Sequence, residues 1–118
     1  MNVIGCRPDG WWRDRQGAIE RLVEQVDRLA ERREERVTVM LEREPRREVG
    51  ARRVEIAWAS VGGADAADRE ILARLPGWLA GEEEVVVVTS DRDLKAKALA
   101  AGAEVVPSRP FRAELDAL

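Results

Sequence analysis

The stretch that most constrains this chain is Val85-Val86-Val87-Val88 followed at once by Thr89-Ser90-Asp91. Four β-branched residues in a row disfavour a helix and favour a strand, here read as 84–88. A run apolar at every position, not at alternate ones, is the pattern of a strand covered on both faces. Such strands belong to parallel sheets. Helical spacing resumes directly afterwards, with Leu94, Ala98 and Leu99 on one face, Ser90 or Asp91 as the cap and Gly102 as the C′ stop.

The rest of the chain repeats this alternation. Ile19, Leu22, Val23, Val26, Leu29 and Ala30 share one face of a helix predicted over 14–35. "VTVML", 37–41, is a short strand and "EREPRREVGARR", 42–53, a loop. "VEIAWA", 54–59, is a second strand, with Val54, Ile56 and Trp58 predicted on one face and Trp58 in the core. A helix over about 65–75 follows, with Asp65 as N-cap, Asp68 near the capping-box position, and Pro76-Gly77 ending or kinking it. Trp78 and Leu79 are expected to fold back onto the core. "AEVVP", 103–107, is the last strand and "PFRAELDAL", 110–118, a terminal helix with Pro110 in its first turn. At 118 residues, these elements predict one α/β domain, 1–118, with a mainly parallel sheet.

Composition narrows the chemistry. The chain has no His and no Tyr, which removes Ser-His-Asp and Cys-His mechanisms. Cys6 stands alone; it makes no intrachain disulfide, reads as a small buried side chain, and fits a reducing, cytoplasmic setting. No apolar run is long enough to span a membrane. Carboxylates, hydroxyls and a metal remain as the reactive groups.

The carboxylates fall in a pattern. In a parallel α/β sheet, ligands sit beyond the carboxyl ends of the strands. Glu42 follows the strand 37–41, Asp65 and Asp68 follow 54–59, and Asp91, with Asp93 nearby, follows 84–88. Acids gathered on one edge repel one another unless a cation lies between them. Mg²⁺ or a similar hard ion, which prefers oxygen ligands, suits that place. Each acid also has a plain alternative: an N-cap for Asp65 and Asp91, a first-turn carboxylate for Asp68 and Asp93, an exposed charge for Glu42. For substrate contact, Arg46 and Arg47 lie in an Arg-rich loop with Arg43, Arg52 and Arg53, against Glu44 and Glu48. Such a loop suits a phosphate backbone. Trp12, beside Trp11 and among Arg7, Arg13 and Arg15, suits stacking on single-stranded bases, with core packing as the alternative for one or both Trp.

"NVIG" at 2–5, "RPDGWWRDR" at 7–15, "DAADREI" at 65–71 and "VVVVTSDRDL" at 85–94 together resemble the NYN domains of the PIN-like nuclease superfamily, in particular the YacP-like bacterial branch. The resemblance runs nearly the length of the chain. It implies a Rossmann-like three-layer α/β/α sandwich and an acid cluster that binds Mg²⁺ or Mn²⁺ and hydrolyses RNA. By the same resemblance Asn2 is the Asn after the first strand, Asp65, Asp68 and Asp91 are the acids, and Ser90 supports Asp91 or touches a phosphate. Two departures stand out. The family pattern begins with a hydrophobic strand ending in Asp-Gly just before the position of Met1, so the first strand and its Asp are missing. The expectation is that Met1 is internal and the true start lies upstream; a chain starting at Met1 is expected to be a weak nuclease of low stability. The family's Phe-Asp-Gly is replaced by Leu41-Glu42-Arg43. Three readings result: a metal-dependent endoribonuclease, a non-cleaving RNA-binding module of the same fold, and a metal-dependent nucleotide phosphohydrolase.

Overall fold

A computed structural model describes residues 3–4, 10–81 and 84–118. Asn2 and Cys6 lie outside the described residues. After a short 3₁₀ turn, Trp11–Arg13, the elements are α1 (Arg15–Arg33), β1 (Val37–Leu41), β2 (Val54–Trp58), α2 (Ala66–Leu79), β3 (Val86–Val88), α3 (Arg92–Ala101), β4 (Glu104–Val106) and α4 (Ser108–Asp116). All strand pairing among the described residues is parallel and falls into two pairs. β1 runs beside β2 with Val37 opposite Val54 and Leu41 opposite Trp58. β3 runs beside β4 with Val86 opposite Glu104 and Val88 opposite Val106.

The helices pack in two groups. α1 lies on β1, β2 and α4; α2 lies on β1 and on α3, which packs on β4. β1 therefore packs against a helix from each group. Each group has its own core. The first is built on Ile19, Leu22, Val23, Val26 and Leu29 of α1, with Leu41, Val54 and Leu115. The second joins Leu75, Val87, Leu94, Ala98 and Ala103.

Local chemistry sets the element ends. α1 starts where the Asp14 carboxylate accepts the Gly17 N–H at 3.0 Å. A Cβ at position 17 would collide with that carboxylate, so the glycine makes room for the cap. α1 stops at Glu34, in the left-handed region at φ 55°. α3 stops at Gly102, φ 106°, the C′ glycine the sequence predicts.

Four details differ from the sequence expectations. α2 does not end at Pro76 but runs through it to Leu79. The extra turn seats Trp78 and Leu79 against the second core, which offsets the missing N–H of the proline. α4 begins at Ser108, two residues early, with Pro110 still in its first turn. β3 is shorter than predicted, and Val86 is 46% exposed while Val87 is buried. Trp58 is not in the core: it is 39% exposed. The buried positions around β2 are Val54, Ala57 and Ala59, so the strict alternation predicted from Val54, Ile56 and Trp58 breaks before the strand ends. Among the described residues, no helix is long and apolar enough to cross a membrane.

Candidate metal and RNA site

The acids named from the sequence are delivered by three strand-to-loop junctions. Glu42 directly follows β1. Its carboxylate faces the Arg15 guanidinium at 3.5 Å, so the start of α1 meets the end of β1. Asp91 follows β3 as the N-cap of α3. Its Oδ1 accepts the Leu94 N–H at 2.8 Å, and its own N–H donates to the Thr89 hydroxyl at 3.1 Å. Thr89 is buried, and its N–H donates to the Val106 carbonyl at 2.9 Å, extending the β3–β4 pairing to the junction. The plain capping role foreseen for Asp91 is thus real, and it fixes the carboxylate at the carboxyl end of β3.

Asp65 behaves differently. It occupies the N-cap position of α2, but its side chain makes no cap bond and its backbone is left-handed, φ 56°. The expectation that Asp65 is a capping residue therefore fails in detail. A capping carboxylate needs an extended backbone to reach back to the N2 or N3 amide, and the left-handed turn does not offer that geometry. Asp68, in the first turn of α2, is half-buried.

Electrostatics ties these residues together. Burial pushes the Asp68 carboxyl above the usual aspartate range, and the charges of Asp91, Asp65 and Glu42 push it further the same way. Four carboxylates from three junctions therefore share one field. Asp93 is set apart: it is exposed and paired with Lys97 at 2.8 Å. Among the described residues, no three acidic groups are close enough to enclose an ion unaided. The donor set is nonetheless carboxylate oxygens alone, which suits a hard divalent ion that keeps several of its waters.

The residues named for substrate contact are held in different ways. Ser90 is exposed, and its hydroxyl accepts the Ser108 N–H at 3.0 Å, joining the start of α4 to the β3–α3 junction. Arg46 and Arg47 are exposed in a loop buttoned to α1 by Gln16. The Gln16 side chain accepts the Arg46 N–H at 3.1 Å and donates to the Arg47 carbonyl at 3.3 Å. Arg47 also pairs with Glu20 at 3.3 Å. Trp12 is 56% exposed. Its ring stands edge-on to Trp11, centroids 6.1 Å apart, with the Arg13 guanidinium 6.0 Å from its centre. Trp11 packs against the first core, so the pair divides its labour between anchoring and display.

Sequence reasoning passed over the polar residues that hold the loops. Asp27 of α1 takes the N–H groups of Arg52, Arg53 and Val54 at 2.8 to 3.2 Å. Arg69 and Glu70 of α2 bind the loop ahead of Asp65. Each is a charged residue on a helix and gives no periodic signal; only the fold reveals its partners.

Comparison with known proteins bears on what this edge is. The profile of the YacP-like NYN domain matches residues 12–118. The chain belongs to the YacP-like NYN domain family. Among solved structures, a mutant form of Rae1 (YacP) from Bacillus subtilis is similar with a TM-score of 0.79, over 98% of this chain and 70% of that one, at 20% identity. That likeness establishes the fold, the NYN arrangement of parallel strands and helices. No curated protein matches the chain. As an NYN domain, the protein has a nuclease-like, RNA-related fold.

Proposed function

We propose that this NYN domain is a metal-dependent endoribonuclease that hydrolyses phosphodiesters of single-stranded RNA. The observation that carries the reading is the placement of acids where strands end: Glu42 directly after β1, Asp91 after β3, and Asp65 and Asp68 at the start of α2, where the half-buried Asp68 carboxyl is raised by burial and then by the other three charges. Acids placed at such a cost to one another are a mark of a functional edge. A bound Mg²⁺ or Mn²⁺ would offset the repulsion, activate water and steady charge on the phosphate.

The chain's own residues have distinct tasks in this reading. Asp68 and Asp91 would hold the ion, Asp68 from the first turn of α2 and Asp91 from its place as the cap of α3. Asp65 and Glu42 would complete the carboxylate set from the loops that follow β2 and β1. Ser90 offers a hydroxyl beside Asp91 for a phosphate oxygen. Arg46 and Arg47 attract the backbone, and Trp12 stacks on a base.

The test is cleavage of labelled single-stranded RNA with Mn²⁺ or Mg²⁺ by the chain and by Asp91→Asn. Metal-dependent cutting that the substitution abolishes supports the proposal. RNA retained without cutting, at any metal concentration, replaces it with the binding-module reading. One observation favours that alternative: among the described residues no three acids enclose an ion.

A further inference from the structure

Gln16 is buried at the start of α1, and every other buried residue of that helix is apolar. A buried amide is stable only with its hydrogen bonds made, and Gln16 makes them largely with the Arg-rich loop. Its Oε1 accepts the Arg46 N–H at 3.1 Å; its Nε2 donates to the Arg47 carbonyl at 3.3 Å and to the Glu20 carboxylate at 3.0 Å. The Arg47 guanidinium pairs with the same carboxylate at 3.3 Å. Arg46 and Arg47 are both exposed. Trp12 belongs to the same end of the helix. Its turn, Trp11–Arg13, is closed by the Arg13 N–H on the Gly10 carbonyl at 3.0 Å and runs straight into Asp14, the cap of α1. Trp12 and Gln16 are four residues apart, so their Cα atoms lie within about 14 Å of each other. Two acids of this end are engaged: Asp14 accepts the Gly17 N–H, and Glu42 faces Arg15 at 3.5 Å. One helix end thus gathers an exposed indole and two exposed guanidinium groups. A flat ring takes an unpaired base and a basic loop takes phosphates, the pairing that single-stranded nucleic acid needs.

We propose that Gln16 is a positioning residue that pins Arg46 and Arg47 to the end of α1 that carries Trp12, making one continuous surface for single-stranded RNA. An unpaired base stacks on Trp12 while phosphates of the same strand meet the two arginines. The inference rests on the RNA reading above but needs no bound metal. Gln16 itself touches no RNA. It acts by holding the loop's main chain, so its loss should show in the arginines' share of binding and not in the share of Trp12.

The experiment is fluorescence anisotropy of a labelled oligoadenylate in chelator, over a series of salt concentrations, with melting temperature measured alongside. The full chain is compared with Gln16→Met, with Gln16→Asn, which keeps the amide on a shorter arm, with Arg46→Ala plus Arg47→Ala, with Trp12→Ala, and with Gln16→Met added to the arginine pair. Gln16→Met should bind about 3- to 10-fold more weakly at low salt, with a flatter salt dependence, as the loss of phosphate contacts requires. Gln16→Asn should move the same way. Adding Gln16→Met to the arginine pair should cost nothing further, because both act through the same side chains. Trp12→Ala should weaken binding and leave the salt slope as it was. A duplex of equal length should bind more weakly than the single strand, since it offers no free base. Unchanged affinity and salt slope in both Gln16 variants, with Trp12→Ala and the arginine pair weakened, overturn the pin alone. So does an additive loss in the triple substitution. A duplex bound as tightly as the single strand overturns the stacking half of the surface. An unsubstituted chain that binds no single-stranded RNA overturns the RNA reading and the surface with it.

Discussion

Asp68 shows how a single residue can be disfavoured by the fold and still be kept by it. Its carboxyl is raised by burial and then by Asp91, Asp65 and Glu42, so without a cation its charge opposes folding. The sign follows from linkage. A carboxyl with its folded pKa above the unfolded one adds stability below the unfolded pKa, and that contribution is lost as pH rises through the folded pKa. At neutral pH the charge is a net burden. Asp68→Asn is therefore expected to raise the metal-free Tm by a few degrees while abolishing cleavage. Thermal denaturation in chelator checks it, and a lower Tm would contradict the account. Trp12 is the second residue-scale case. An exposed indole beside a guanidinium suits a stacked base, and Trp12→Ala should weaken single-stranded RNA binding by about 1–3 kcal/mol with Tm little changed. Fluorescence anisotropy in chelator reads binding without cutting. Unaltered affinity would remove Trp12 from the substrate path.

At the scale of elements, α1 serves as a frame on which the Arg-rich loop is hung. Gln16 holds the loop near one end of the helix, and Asp27 receives three successive backbone N–H groups where the loop becomes β2. Those bonds hold the Asp27 carboxyl below the usual aspartate range, the Arg53 N–H foremost. The stability it brings is present above the unfolded pKa and is lost as pH falls through the lower, folded one. Asp27→Ala should cost about 1–2 kcal/mol near neutral pH, as the loss of a strong cap does, and the deficit should shrink in acid. Urea denaturation at several pH values measures it; a deficit independent of pH would refute the linkage. The elements themselves were largely legible because α1 and the valine run carry strong periodic signals. Less legible were the places where tertiary contact overrules local rule. Pro76 reads as a breaker, yet Trp78 and Leu79 draw the helix past it into the second core. Trp58 reads as core from its alternation with Val54 and Ile56, yet it stands where β2 ends and cover is lost. The acids could be placed after strands because each follows an apolar run in the sequence. Gln16, Asp27 and Arg69 could not, because a polar side chain's partner far along the chain leaves no pattern in its neighbours.

The whole molecule combines a nearly balanced charge, −3 over 118 residues, with sharp local separation. Acids gather at the strand ends, while Arg43, Arg46, Arg47, Arg52 and Arg53 crowd one loop. A polyanion should therefore meet a surface that both attracts and repels it, and the cation decides which prevails. Two consequences can be separated by salt and by metal. Arg46→Ala with Arg47→Ala should weaken RNA binding and flatten its dependence on salt, since fewer counterions are released per complex. Mn²⁺ should raise the Tm of the chain in proportion to its occupancy of the folded state, about 2.7 kcal/mol of stabilisation at one hundred times Kd. That rise should survive the double arginine substitution and vanish in Asp68→Asn. A metal-induced rise that persists in Asp68→Asn would mean the ion binds away from the strand ends. The acid cluster would then need another explanation than metal binding.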